Sequence, residues 1–156
     1  MKKANQYIEQ FLKCGTLIST VGLIGVVSIQ IFARFALTQA PSWTEEVARF
    51  FFVYAISFAS GLAMKDKYFV FVDIFFNKMN AKWQSLFLMI ISLSVILLFG
   101  LMTYYSLELI KIGHAERSSS TSIKMSFIFF SILIMSASIA YFALVQLRQD
   151  WKKYKQ

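Results

Sequence analysis

The sequence predicts an all-α membrane protein with four transmembrane helices and a short interfacial helix between spans two and three. Two observations carry that class. First, 58% of the 156 residues are hydrophobic and 17% aromatic, and the mean hydropathy is +0.60. A soluble domain of this size cannot hide so much apolar surface. Second, apolar stretches cover residues 14–37, 43–64, 83–107 and 125–147. Each has about 20 residues or more, enough to cross about 30 Å of hydrocarbon. Together they use nearly all of residues 1–156, so the chain reads as one four-helix membrane domain with no soluble catalytic domain left over.

Residues 4–13 read as a short helix. Tyr7, Ile8, Phe11 and Leu12 share a face, while Glu9, Gln10 and Lys13 point elsewhere. Two fates are open to this helix: lying on the membrane surface, or extending span one. Span one carries Gly15, Ser19 and Gly22, a small-residue stripe that admits a neighbouring helix closely. Gln30 and Arg34 share another face. The stretch is too long for a cleaved signal peptide, and no small-residue cleavage site follows it.

Pro41, the single proline, marks the link to span two. Ser42 and Glu45 have capping-box spacing, which predicts a helix beginning at Trp43. Arg49 follows Glu45 at i+4 and Glu46 at i+3, where side chains on a helix meet. Ala55, Ala59 and Ala63 form a second close-packing stripe. Residues 68–79 are apolar but too short to cross. Tyr68, Val72, Phe75, Phe76 and Met79 at helical spacing, with Asp73, Asn77 and Lys78 roughly opposite, predict the interfacial helix. A packed loop is the competing reading. Spans three and four hold no charge. The loop over 108–124 between them contains His114, Glu116, Arg117 and a Ser/Thr run over 118–122 that reads as a connector.

The formal charge of +8 is a topology signal rather than a nucleic-acid signal. Eleven lysines and arginines fall before span one, between spans two and three, or after span four; three fall between spans three and four. The positive-inside rule then places both termini in the cytoplasm, with the basic side in contact with anionic membrane lipid. Trp83, Trp151, Tyr7 and Tyr154 on that side, and Trp43, Tyr104 and Tyr105 on the other, suit the headgroup level.

The chemistry suggested by the sequence is sparse. Cys14 is the single cysteine and His114 the single histidine, so neither an internal disulfide nor a bis-histidine haem fits. No metal-ligand spacing, nucleophile–histidine pair or phosphate-binding glycine loop appears, so no enzyme, cofactor or metal is expected. A carrier needs ionisable groups near the midplane or broken helices, and these spans offer neither. The serines within them read as interhelical hydrogen-bonding groups. The nearest thing to a site is the cluster of Arg34, Glu45, Glu46 and Arg49 at the outer ends of spans one and two. Charge at bilayer depth is costly unless paired, so Arg34 is expected to meet Glu45 or Glu46. Two acids against two arginines leave no net charge to attract an anion, which favours a structural cluster over a substrate site. An accessory subunit follows; the alternative is an autonomous small four-span transporter or channel.

These residues also resemble a known family. Arg34 closing span one, the P-x-W-x-E-E-x-x-R run of Pro41, Trp43, Glu45, Glu46 and Arg49, and Val72-Asp73 in the next segment look like the small membrane subunit of tripartite ATP-independent periplasmic (TRAP) transporters. The resemblance covers the whole chain in length and span number, and the W-x-E-E-x-x-R element is its specific part. It implies a bacterial inner-membrane heterodimer in which this chain braces a large, sodium-driven elevator subunit. It also implies a periplasmic binding protein that delivers an organic acid of the sialic acid or C4-dicarboxylate class. The family-like positions are Arg34, Trp43, Glu45, Glu46, Arg49 and Asp73. His114, Glu116 and Arg117 are the candidate contact for the binding protein. Asp66-Lys67-Tyr68 stands where the family commonly has a Gly-Glu-His-like element, and the last span lacks the family's frequent proline.

Overall fold

The computed structural model describes residues 2–36, 41–66 and 81–154. Its helices are α1 (Lys2–Ala36), α2 (Ser42–Lys65), α3 (Ala81–Ile112) and α4 (Ser126–Tyr154). All four are long and apolar enough to cross a membrane, which makes the chain a multi-pass membrane protein. The expected interfacial helix over 68–79, with Asp73, lies outside the described residues. Helix α1 is continuous from Lys2 over 35 residues. Its length of about 52 Å exceeds the hydrocarbon thickness by about 20 Å. Residues 4–13 therefore extend span one.

The main contacts run α1 to α2, α2 to α4 and α4 to α3, so α1 and α3 lie on opposite flanks. Gly15 faces the Phe58 ring and Gly22 faces the Phe51 ring, which fixes α1 and α2 as antiparallel. A Cβ at Gly22 would sit 2.5 Å from that ring, and Ser19 between the two glycines is buried. The Gly15, Ser19, Gly22 stripe is thus the α2-facing side of α1. The corresponding positions on α2 differ from the alanine stripe. Ala55, Ala59 and Ala63 are half-buried, whereas Ser57, Phe58, Gly61 and Met64 are buried. A Cβ at Gly61 would lie 2.6 Å from Ser138 Oγ and 2.9 Å from Leu12 Cδ1. Three helices therefore meet at Gly61, a position that a search for repeated small residues passes over.

The core around this junction is Leu12, Phe58, Met64, Ile139, Phe142 and Ala143. It occupies the half of the molecule nearest Lys2 and Tyr154, termed the terminal end. There Glu9 bridges Lys13 and Lys65, each at 2.7 Å, tying α1 to the last turn of α2. Tyr141 Oη donates to Asn5 Oδ1 at 2.6 Å and ties α4 to α1. The outer surfaces of α1 and α3 are apolar and exposed, including Leu17, Ile18, Val21 and Ile24 on α1 and Leu93, Leu97, Leu98 and Leu101 on α3. Such surfaces suit lipid chains.

The buried serines behave differently from the sequence expectation. Ser57, Ser106, Ser131, Ser136 and Ser138 each donate to a carbonyl three or four residues back in their own helix. They are small packing residues that satisfy themselves locally. Cross-helix hydrogen bonds run from Tyr54 Oη to the Phe127 carbonyl, from Tyr141 to Asn5, and from one serine, Ser126 at the start of α4, to the Ile110 carbonyl of α3.

Candidate functional site

The opposite, distal end carries the charged cluster that the sequence singles out. The first turn of α2 is fixed by Pro41, whose φ of -63° and ψ of 122° lead into the helix. No side chain caps it, so the Ser42–Glu45 capping box does not form. Thr44 is fully buried instead, and its hydroxyl donates back to the Pro41 carbonyl at 2.8 Å. The helix begins at Ser42, one residue before the expected start. Trp43 stays 44% exposed, as suits an interfacial anchor.

Glu45 and Glu46 leave this turn in different directions, as neighbours on a helix must. Glu45 Oε1 lies 3.9 Å from Arg49 Nη2, with both side chains largely exposed. A pair so long and so wet contributes little. Glu46 turns to the loop between α3 and α4. Its Oε2 accepts from the Thr121 backbone N–H at 2.8 Å and from the Thr121 hydroxyl at 2.9 Å. Charge-assisted bonds to a fixed backbone donor are the stronger kind. This contact joins residues 75 positions apart and straps the loop across the start of α2.

The loop itself is ordered by its own hydrogen bonds. Gly113 lets the end of α3 approach the start of α4, since a Cβ there would meet the Phe129 ring at 2.6 Å and the Ser126 backbone nitrogen at 2.8 Å. Ser126 closes the base, with its N–H donating to Gly113 O and its hydroxyl to Ile110 O. Arg117 and Lys124 form an antiparallel bridge, and Ser118 N–H donates to Ile123 O at 2.8 Å. Ser122 takes a φ of 55°, in the left-handed region, and completes a tight turn. The serine run is therefore a built turn that presents Thr121 to Glu46, not a plain connector.

Of the expected loop residues, His114 accepts from Lys124 Nζ at 3.0 Å through Nε2, because an ammonium can only donate. Arg117 Nη1 donates to Ser122 O at 3.3 Å, and Glu116 is exposed. These three stand on the same loop as Thr121.

Arg34 departs from expectation. It is exposed, and among the described residues it forms no ion pair with Glu45, Glu46 or any other acid. It lines a shallow groove of about 320 Å³ with Gln30, Ile31 and Phe35, so the shared Gln30–Arg34 face is real. The cluster read from sequence is thus three separate features: the Glu46 strap, the weak Glu45–Arg49 pair, and Arg34 beside Gln30 on α1, without an acidic partner among the described residues. A further small cavity of about 260 Å³ between α1, α2 and the loop is lined by Ser19, Val47, Phe50, Phe51, Tyr54 and Ile123 and carries no charge. Among the described residues no group of histidines, cysteines or acids could hold a metal ion.

Comparison with known proteins agrees with this architecture. Residues 23–153 match the family described as tripartite ATP-independent periplasmic transporters, DctQ component. A putative TRAP transporter small permease protein of Haemophilus influenzae is 24% identical over 151 residues, which cover 97% of this chain and 92% of that protein. The isethionate TRAP transporter permease protein DctMQ of Oleidesulfovibrio alaskensis is 29% identical over 111 residues, 71% of this chain but only 17% of that longer protein. Four membrane-crossing helices and a match over most of the chain converge: the protein belongs to the DctQ family of TRAP transporter components, and is a small permease component rather than an enzyme.

Proposed function

We propose that this chain is one four-helix scaffold domain that braces the large membrane subunit of a sodium-driven TRAP transporter in a bacterial inner membrane. The supporting observation is the distribution of charge. The spans of α3 and α4 carry none, and the charges of α1 and α2 sit near the helix ends. A chain built this way offers no midplane path for an ion or an anion. The name DctMQ, and the match to a small fraction of that protein, support a partnership with a larger membrane portion. The basic terminal end would then lie in the cytoplasm, by the positive-inside rule.

The substrate in this reading is an organic anion. Sialic acid and C4-dicarboxylates belong to that class, and the isethionate named for one relative widens it to sulfonates. Arg34 is the residue assigned to the large subunit, because an exposed arginine at the membrane boundary without an acidic partner among the described residues is costly until one is supplied. The strapped loop, with Glu116 and Arg117 exposed beside His114, is assigned to the periplasmic binding protein.

The test is co-purification with the large subunit. Wild type should elute with it in equal amounts, and Arg34→Ala should reduce the recovered pair. An Arg34→Ala complex that assembles normally yet takes up no substrate would move Arg34 from the scaffold to the transport chemistry. Neutralising Glu116 and Arg117 together should raise the binding-protein concentration needed for half-maximal uptake. Unchanged uptake over the whole concentration range would remove the loop from that contact.

A further inference from the structure

At the terminal end, α4 and the start of α1 enclose an open groove of about 650 Å³. Val145 and Leu147 line it on the side away from the chain terminus, and Arg148 and Lys152 follow within the next two turns. Trp151 and Asn5 complete the wall. The geometry points to a binding site for one anionic phospholipid of the leaflet at this end, with its phosphate held between Arg148 and Lys152 and an acyl chain over Val145 and Leu147.

Three observations carry this assignment. The first is charge. Arg148 and Lys152 stand at i, i+4, so their side chains share a face and can converge on one phosphate. Among the described side chains, the other cations at this end are neutralised: Lys13 by Glu9, and Lys65 by Glu9 and Asp66. Among the described residues neither Arg148 nor Lys152 has an acidic partner, and Asp150 between them in sequence is buried on another face. The second is polarity along the groove. Over about 10 Å of helix axis the lining passes from apolar to cationic, the order of a phospholipid from chain to phosphate. The third is the remaining wall. Trp151 is 57% exposed, and such rings favour the headgroup level. Asn5 Oδ1 is engaged by Tyr141, which leaves the amide N–H donors for an ester or phosphate oxygen.

The full chain, delipidated in detergent, is given phosphatidylglycerol or phosphatidylcholine and the retained lipid is counted by native mass spectrometry. Wild type should keep phosphatidylglycerol on the order of tenfold better. Arg148→Gln with Lys152→Gln should lose that preference; Arg148→Lys with Lys152→Arg should keep it; and Lys111→Gln, at the distal end, should leave it unchanged. The single variant Lys152→Gln, with helicity checked by circular dichroism, should lose part of it and guards against misfolding of the double variant. Equal retention by wild type and the neutral variants overturns the site. Displacement by glycerol 3-phosphate would make it a site for a soluble anion and overturns it too. So does loss of the lipid when the chain is co-purified with a large subunit, since the groove would then be a protein contact.

Discussion

The two ends of the helix set are held by different means. At the terminal end α1, α2 and α4 converge on Leu12, Phe58, Gly61, Ile139 and Ala143, and Glu9 is clamped by lysines of two helices. At the distal end the last turns of α1 are largely exposed, with Phe32 at 73% and Phe35 at 88%. The ties of α2 to the α3–α4 hairpin there are polar, one carboxylate of Glu46 holding Thr121 of the loop and Tyr54 Oη donating to the Phe127 carbonyl. Close packing resists displacement because the neighbours have nowhere to go, whereas a strap rests on a single acceptor. The chain's own cohesion thus lies at the terminal end. The distal end keeps Arg34, Glu45 and Arg49 available for other contacts.

The comparison can be broken most severely at Gly61. Gly61→Val would push atoms into Ser138 and Leu12 and should cost about 3 kcal/mol, read as a lower midpoint of unfolding in mixed micelles. An unchanged midpoint would mean that three helices do not meet there. Next comes the strap. Glu46→Ala should cost about 2 kcal/mol and speed hydrogen exchange at the Thr121 amide, with the terminal-end amides unaffected. Glu46→Gln keeps a neutral acceptor and should lose about half as much. Equal exchange at Thr121 in all three proteins would remove the strap from the account. Glu9→Gln should lower stability less than Glu46→Ala, and the loss should shrink in high salt, because the lysines around it are open to solvent. Smallest of all, Arg49→Ala should produce no measurable shift, since its pair with Glu45 is long and exposed.

The same contrast explains what was legible in the sequence. The four membrane-crossing helices, the Gly15–Ser19–Gly22 stripe and the shared face of Gln30 and Arg34 all follow from local periodicity, and all three stand. The capping box at Ser42 and Glu45 also follows from local spacing, but it does not form. Pro41 sets the entry to α2, and the hydroxyl of Thr44 closes the turn. Local spacing places residues on a face of one helix and says nothing about which distant residue that face meets. Hence spacing offers Arg34 either Glu45 or Glu46, its neighbours across a short link, and does not offer Glu46 the Thr121 that only the fold brings near. Gly61 was overlooked for a related reason: it stands singly on α2, and its importance comes from two other helices. The serines misled in the opposite direction. A hydroxyl in an apolar helix looks like a tether, yet the carbonyl one turn back is always within its reach.

Both ends concentrate charge and the middle of the helices has none, so the chain by itself should move nothing. The direct test is flux into sealed liposomes containing only this protein, with a sodium gradient and a labelled organic anion such as sialic acid, succinate or isethionate. Uptake should equal that of empty liposomes, and should appear only when a large subunit and its binding protein are added. Uptake above background by this chain alone would contradict the scaffold reading and make it a transporter in its own right.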